Sequence, residues 1–247
     1  MNTKVFLAGA TGAVGSALVP LLVDAGYTVY GSTRRPDRAA RLEQAGAAPV
    51  IVDVFDARAL GEALMRMQPA CVIHQLTDLP PALDPSKMAN ALAGNARIRD
   101  EGTRNLLAAA LSAGSTRFIA QSIAWAYREG AQPYDETQPL DIHSGGDRLV
   151  TVRGVVSLET QVLEAPLVGA VLRYGQLYGP GTGFDHARGA SPLHVDAAAF
   201  AALLALQHGA HGTFNIAEDN PVVSTEKAKR ELGWSANWRR PLAGVER

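Results

Sequence analysis

The stretch Val5-Phe6-Leu7-Ala8-Gly9-Ala10-Thr11-Gly12-Ala13-Val14-Gly15 decides the fold. It opens with an apolar run, turns on glycine, and leads into a helix from about Val14 to Ala25 that Gly26 stops. A strand that meets a helix in this way points free N–H groups, and the partial positive charge of the helix N-terminus, at one place. Gly9 permits the tight turn, Gly12 lets backbone approach a bound pyrophosphate, and Gly15 lets the helix pack on the strand. Three glycines alone are a weak signal, because turns recruit glycine anyway; the order of strand, turn and helix gives them meaning. The expected cofactor contacts here are Gly9, Thr11, Gly12, Ala13, Val14 and Gly15.

Outward from this unit, strands and helices alternate. Strands are expected at 28–32, 48–52, 70–74, 117–122 and 168–173, with helices at 38–45, 57–67, 98–113 and 149–163 between them. Such alternation requires right-handed crossovers and a parallel sheet covered on both faces. The fold class is therefore α/β: a doubly wound parallel sheet, or Rossmann fold, with ligands at the carboxyl ends of its strands. Beyond Tyr174 the pattern loosens into the turn-rich loop Tyr178-Gly179-Pro180-Gly181-Thr182-Gly183. A strand near Leu193, a helix at 196–207, a strand at 213–217 and a helix at 225–232 follow. Residues 1–174 read as the nucleotide-binding core, and 175–247 as a small C-terminal substrate lobe that is not an independent domain.

Composition narrows the function. The formal net charge of −1 over 247 residues, with acid and base well mixed, gives no electrostatic footprint for nucleic acid or an anionic membrane. No apolar stretch approaches membrane-spanning length, and the lone Cys71 excludes an intrachain disulfide. A cytoplasmic protein acting on a small-molecule substrate is expected. Cys71 and His74 would face opposite sides of a strand, and the other histidines show no ligand spacing, so no metal site is expected.

The chain resembles an extended short-chain dehydrogenase/reductase of the NAD(P)-dependent epimerase/dehydratase superfamily. The resemblance rests on Gly9–Gly15, Val72-Ile73-His74, Gly102-Thr103-Arg104-Asn105-Leu106-Leu107, Leu172-Arg173-Tyr174, Tyr178–Gly181, His194-Val195-Asp196 and Glu231-Leu232-Gly233-Trp234. These segments occur in family order, but the loop between Phe184 and His194 and the tail are shorter than is usual there. The resemblance implies that Asp53 and Val54 lie against the adenine, although Asp53 also suits a helix cap. It implies that Gln75 and Leu76 pass close to the cofactor, with Tyr174 on the same side, and it allows a homodimer.

The phosphate state of the cofactor follows from charge. An NAD site usually places a carboxylate after the second strand to accept from the ribose 2′-OH. Here that strand runs into Thr33-Arg34-Arg35, and no acid occurs before Asp37. Guanidinium forks pair with a 2′-phosphate that a carboxylate would repel. The expected cofactor is NADP(H), held by Thr33, Arg34 and Arg35.

The proton relay that the resemblance implies is missing. Family reductases carry Tyr-x-x-x-Lys on the helix before the sixth strand, with a glutamate four positions after the lysine. Aligning on Glu159 puts Thr151 at the tyrosine position and Val155 at the lysine position. Counting back four from Tyr127, where the family has a catalytic Ser or Thr, gives Ile123, with Ser122 one place earlier. Tyr127 and Ser122 are the candidate catalytic residues, with Tyr127 alternatively packing beneath the loop at Tyr134. Tyr134, His143, Tyr174, Tyr178, Asp185 and His186 are further candidates to line the substrate pocket. Three readings stay open: NADPH-dependent reduction of a small carbonyl or enone, a non-catalytic NADP(H) sensor or scaffold, and a redox-neutral isomerase or lyase with a structural cofactor.

Overall fold

A computed structural model describes residues 3–80 and 83–241. The first half runs β1 (Lys4–Ala8), α1 (Ala13–Asp24), β2 (Thr28–Thr33), α2 (Ala39–Gln44), β3 (Ala48–Ile51), α3 (Ala57–Met67) and β4 (Cys71–His74). Then come α4 (Met88–Arg97), a π-helical turn (Ile98–Gly102), α5 (Thr103–Ser112), β5 (Arg117–Ile123), α6 (Gly146–Glu164) and β6 (Val168–Tyr174). The remainder is β7 (Gln176–Tyr178), β8 (Pro192–His194), α7 (Val195–His208), β9 (Gly212–Ile216) and α8 (Glu226–Leu232).

Seven strands form one sheet in the order β3-β2-β1-β4-β5-β6-β9, and every pairing in it is parallel. Order reverses between β1 and β4, the switch point at which ligands bind in such sheets. Alternate residues of a strand face opposite sides, and both sides are covered. Val5, Leu7, Ile73, Ile119 and Leu172 pack under α1 and α7. Phe6, Ala8, Val72, Phe118 and Val171 pack under α3, α5 and α6. Phe6 and Phe118 are fully buried, each stabilising the fold by about 1.5–3 kcal/mol. The alanine-rich face of α7 belongs to the same core as Val14, Leu18 and Leu22 of α1.

Of the segment after Tyr174, β9 and α7 complete the sheet and its helical cover. The parallel pair β7–β8 and the loop around Gly181 overhang the carboxyl end. The helix expected from Ile98 starts ten residues earlier, at Met88. Gly94 and Asn95 are poor helix formers, yet Asn95 is buried and accepts the Asp78 N–H at 2.8 Å, so tertiary contact overrides propensity. No helix among the described residues is long and apolar enough to cross a membrane.

Candidate functional site

The glycine turn has the geometry of a phosphate cradle. Gly9 adopts φ +85°, and a Cβ there would stand 2.7 Å from the backbone oxygen of Gln75. A Cβ on Gly15 would stand 2.1 Å from Gly9 O, so α1 is packed against the turn itself. Gly12 is different: it is exposed, its φ of −77° suits any residue, and its Cβ would meet only Gly9 O at 3.4 Å. As N-cap it offers no side chain to the first N–H groups of α1, which stay available to an anion. Thr11 and Ala13 are half-buried and Val14 is buried. A Cβ on Gly181 would lie 3.5 Å from Ala13 Cα, so the overhanging loop closes on this helix start.

At the end of β2, the Thr33 hydroxyl accepts the Arg35 N–H at 3.1 Å. Arg35 is turned to Asp37, with Nη2–Oδ2 at 2.7 Å. Arg34 is 53% exposed in its side chain and pairs with Asp78 at 3.7 Å. Asp53 accepts the Phe55 N–H at 3.0 Å, while Asp56 caps α3 through the Ala59 N–H at 2.9 Å. Val54 is buried and its carbonyl accepts from Asn105 at 2.9 Å. Gln75 N–H donates to Ala8 O, which continues the ladder past β4, and Leu76 N–H donates to His74 Nδ1. Tyr174 is buried; its hydroxyl lies 3.2 Å from Ala198 O and 3.4 Å from Gln75 Nε2. Burial raises its pKa.

At the carboxyl ends of β5 and β6 stands a buried polar network that sequence reasoning found only in part. Arg173 and Glu159 form a two-pronged ion pair, at 2.9 Å through Nε and 2.6 Å through Nη2. Ser122 Oγ donates to the same carboxylate at 2.7 Å. Arg173 Nη1 donates to the Tyr127 hydroxyl at 2.9 Å, and that hydroxyl donates to Asn215 Oδ1 at 2.5 Å. Asn215 N–H in turn donates to Glu136 at 2.7 Å. Burial raises the Tyr127 pKa, with Arg173 opposing it. The hydroxyls of Ser122 and Tyr127 are thus both engaged inside the protein. Glu136, Glu159, Arg173 and Asn215 were not among the expected site residues, because their partners lie up to 88 positions away in the chain.

Two of the aligned relay positions, Ile123 and Val155, are apolar, while Thr151 at the third is half-buried. Val155 and Val152 are buried against Ala126, and Ile123 packs on the same cluster. Beside them a cavity of about 360 Å³ is lined by Trp125, Tyr127, Tyr134, Arg148, Gln176 and Ser191. Its rim is held by Arg148, which donates to the Tyr127 carbonyl and pairs with Asp141. Tyr134 stands 5.4 Å from Tyr127 ring to ring. His143, Asp185 and His186 are exposed, and Tyr178 donates to Glu218 at 2.6 Å. A cavity of about 410 Å³ beneath β3 and α3 contains none of the expected site residues.

Known proteins agree with this frame. A family model described as NAD(P)H-binding matches residues 9–145. A 3-diazoavenalumate denitrifying reductase from a Streptomyces species is 36% identical over 244 residues, covering 90% of this chain and 78% of that protein. Among solved structures, UDP-glucose 4-epimerase from Thermotoga maritima, with UDP-glucose, superposes with a TM-score of 0.76 at 20% identity. That match covers 95% of this chain and 94% of the epimerase. A short-chain dehydrogenase/reductase superfamily protein from Agrobacterium tumefaciens with bound NAD gives a TM-score of 0.72 at 21% identity, over 96% and 93% of the two chains. At these identities the solved structures speak for the fold alone.

Proposed function

The chain belongs to the NAD(P)H-binding family within the short-chain dehydrogenase/reductase and epimerase/dehydratase superfamily, and on that premise we propose that it is an NADPH-dependent reductase whose acceptor needs no proton from the protein. One observation carries this reading: the phosphate turn is intact while Ile123 and Val155, at two aligned relay positions, are packed into an apolar cluster with Ala126 and Val152. The residues present fit a dinucleotide, since a Cβ would fill the cradle at Gly9 and the start of α1 has no side-chain cap. In this reading the N–H groups after Gly12 hold the pyrophosphate, and Asp53 and Val54 border the adenine. Gln75, Leu76 and Tyr174 border the nicotinamide half. Arg34, held only loosely by Asp78, is the fork for a 2′-phosphate, with Thr33 and Arg35 shaping its loop.

When bound, NADPH supplies a hydride. A carbonyl that accepts one also needs a proton on oxygen, and neither Ile123 and Val155 nor the weakly acidic hydroxyl of Thr151 suits that role. An aryldiazonium that accepts one closes its valences differently: the new C–H bond forms, the C–N bond breaks, and dinitrogen leaves with no proton moved. The reductase relative, named for a diazo compound and for denitrification, supports placing the acceptor in this class rather than among carbonyls or enones. Tyr127 and Ser122 then serve as struts that fix Arg173, Glu159 and Asn215 behind the site. The test is cofactor oxidation followed by absorbance with an aryldiazonium salt and with the matching aldehyde. Turnover of the first alone is expected. Faster turnover of the aldehyde would refute the reading, and turnover of neither would favour a sensor.

A further inference from the structure

Helix α4 joins α5 through the π-helical turn at Ile98–Gly102, a distortion that recurs at functional sites. Most charges around it are satisfied locally. Arg97 pairs with Glu101 at 2.7 Å and Arg104 with Asp100 at 2.8 Å, each at i, i+4 spacing. Arg99 differs. It has no carboxylate partner among the described residues, and its Nη1 makes only a long hydrogen bond, 3.5 Å, to the backbone oxygen of Thr151. It reaches there across Gly154, where an added Cβ would stand 3.4 Å from Arg99 Cδ and 3.2 Å from Ala96 Cα. The guanidinium therefore lies against the turn of α6 that carries Thr151 and Val155.

Its surroundings offer no counter-charge. Glu159, the acid that acts on it, is already committed to Arg173 and Ser122. Burial pushes the Arg99 pKa down to about 10, against the pull of that carboxylate. His74 is fully buried, and burial first, with the Arg99 charge adding to it, pushes its pKa down to about 3. Its Nδ1 accepts the Leu76 N–H, so Nε2 carries the ring proton, and this N–H has no acceptor. Among the described residues, Arg99 thus lacks a carboxylate partner and the His74 Nε2–H lacks an acceptor.

We propose that Arg99 anchors a carboxylate of the substrate, holding it beside the turn of α6 at Thr151 and Gly154. This rests on the reductase reading in taking the space along α6 as the substrate site. A part-buried guanidinium without a close counter-ion loses hydration that nothing replaces, and a carboxylate offsets that cost with two parallel charge-assisted bonds. A ribose hydroxyl would leave the charge unbalanced. The substrate class is therefore an anion with an apolar body.

The experiment is calorimetric titration of the full chain, saturated with NADP⁺, with cinnamate and separately with cinnamamide, which keeps the body and lacks the charge. Cinnamate is expected to bind about tenfold tighter or better, the worth of a charge-assisted hydrogen bond. R99Q should lose the preference, and R99K should keep part of it, because an ammonium retains the charge without the fork. R99Q should melt no lower than the unmodified protein, since it removes an unpaired cation. Equal affinities in the unmodified protein, which need no variant, would overturn the proposal. So would a preference that survives in R99Q, or a loss of NADPH affinity in its place. The readout is binding, so a protein that prefers cinnamate through Arg99 but reduces no acceptor would refute the reductase reading alone.

Discussion

Replacing the three turn glycines one at a time separates the ligand from the fold. At Gly9, alanine would have to hold φ +85°, which costs an L-residue about 1–2 kcal/mol, with its Cβ 2.7 Å from Gln75 O. At Gly15 the contact would be 2.1 Å from the Gly9 carbonyl, and backbone must move. Both variants should lower the melting temperature markedly. At Gly12 the backbone is ordinary and the nearest neighbour of a Cβ is 3.4 Å away. There the only expected fold penalty is a poorer N-cap, about 1 kcal/mol. G12V should therefore fold, yet its branched side chain would stand where the pyrophosphate must approach. The assay pairs thermal melting with NADPH fluorescence titration. G12V is expected to melt within a few degrees of the unmodified protein and to lose measurable NADPH binding. Unchanged affinity in a folded G12V would show that the phosphates bind elsewhere.

Removing both arginines after β2, as R34A/R35A, should shift the NADPH-to-NADH affinity ratio by about tenfold or more towards NADH, the loss expected for a charge-assisted pair; equal affinities for the two cofactors in the unmodified protein would contradict the assignment. Y127F removes the hydroxyl that links Arg173 to Asn215, so chemical denaturation should register a loss of about 1–3 kcal/mol with turnover nearly unchanged. A loss of about 10²–10⁴ in turnover would instead identify Tyr127 as a general acid.

The frame was legible because it is local. The apolar run at Val5–Ala8, the glycine turn and the helix behind it lie within twenty residues, and each strand's alternation between two covered faces follows from side-chain period alone. The strand at 213–217 was legible as a strand, but its parallel pairing with β6 depends on register that no local pattern carries. The same holds for the buried network: Ser122 and Tyr127 stood out by position, whereas the groups that engage them lie 37 and 88 residues further on. Arg99 was missed for another reason. Arg97-Ile98-Arg99-Asp100-Glu101 reads as a solvated charge run, and only the i, i+4 pairing of its neighbours leaves Arg99 without a partner. Gly154, which makes room for it on α6, carried no signal of its own.

Hydride delivery without a protein proton donor can be followed by incubating the protein in ordinary water with NADPH deuterated at C4, one face at a time, and 4-carboxybenzenediazonium. Mass spectrometry of the benzoate product should find one deuterium, from one face only, with dinitrogen released and with no added deuterium when the solvent is heavy water. A product whose new hydrogen comes from solvent, or whose formation leaves NADPH unoxidised, would contradict the account.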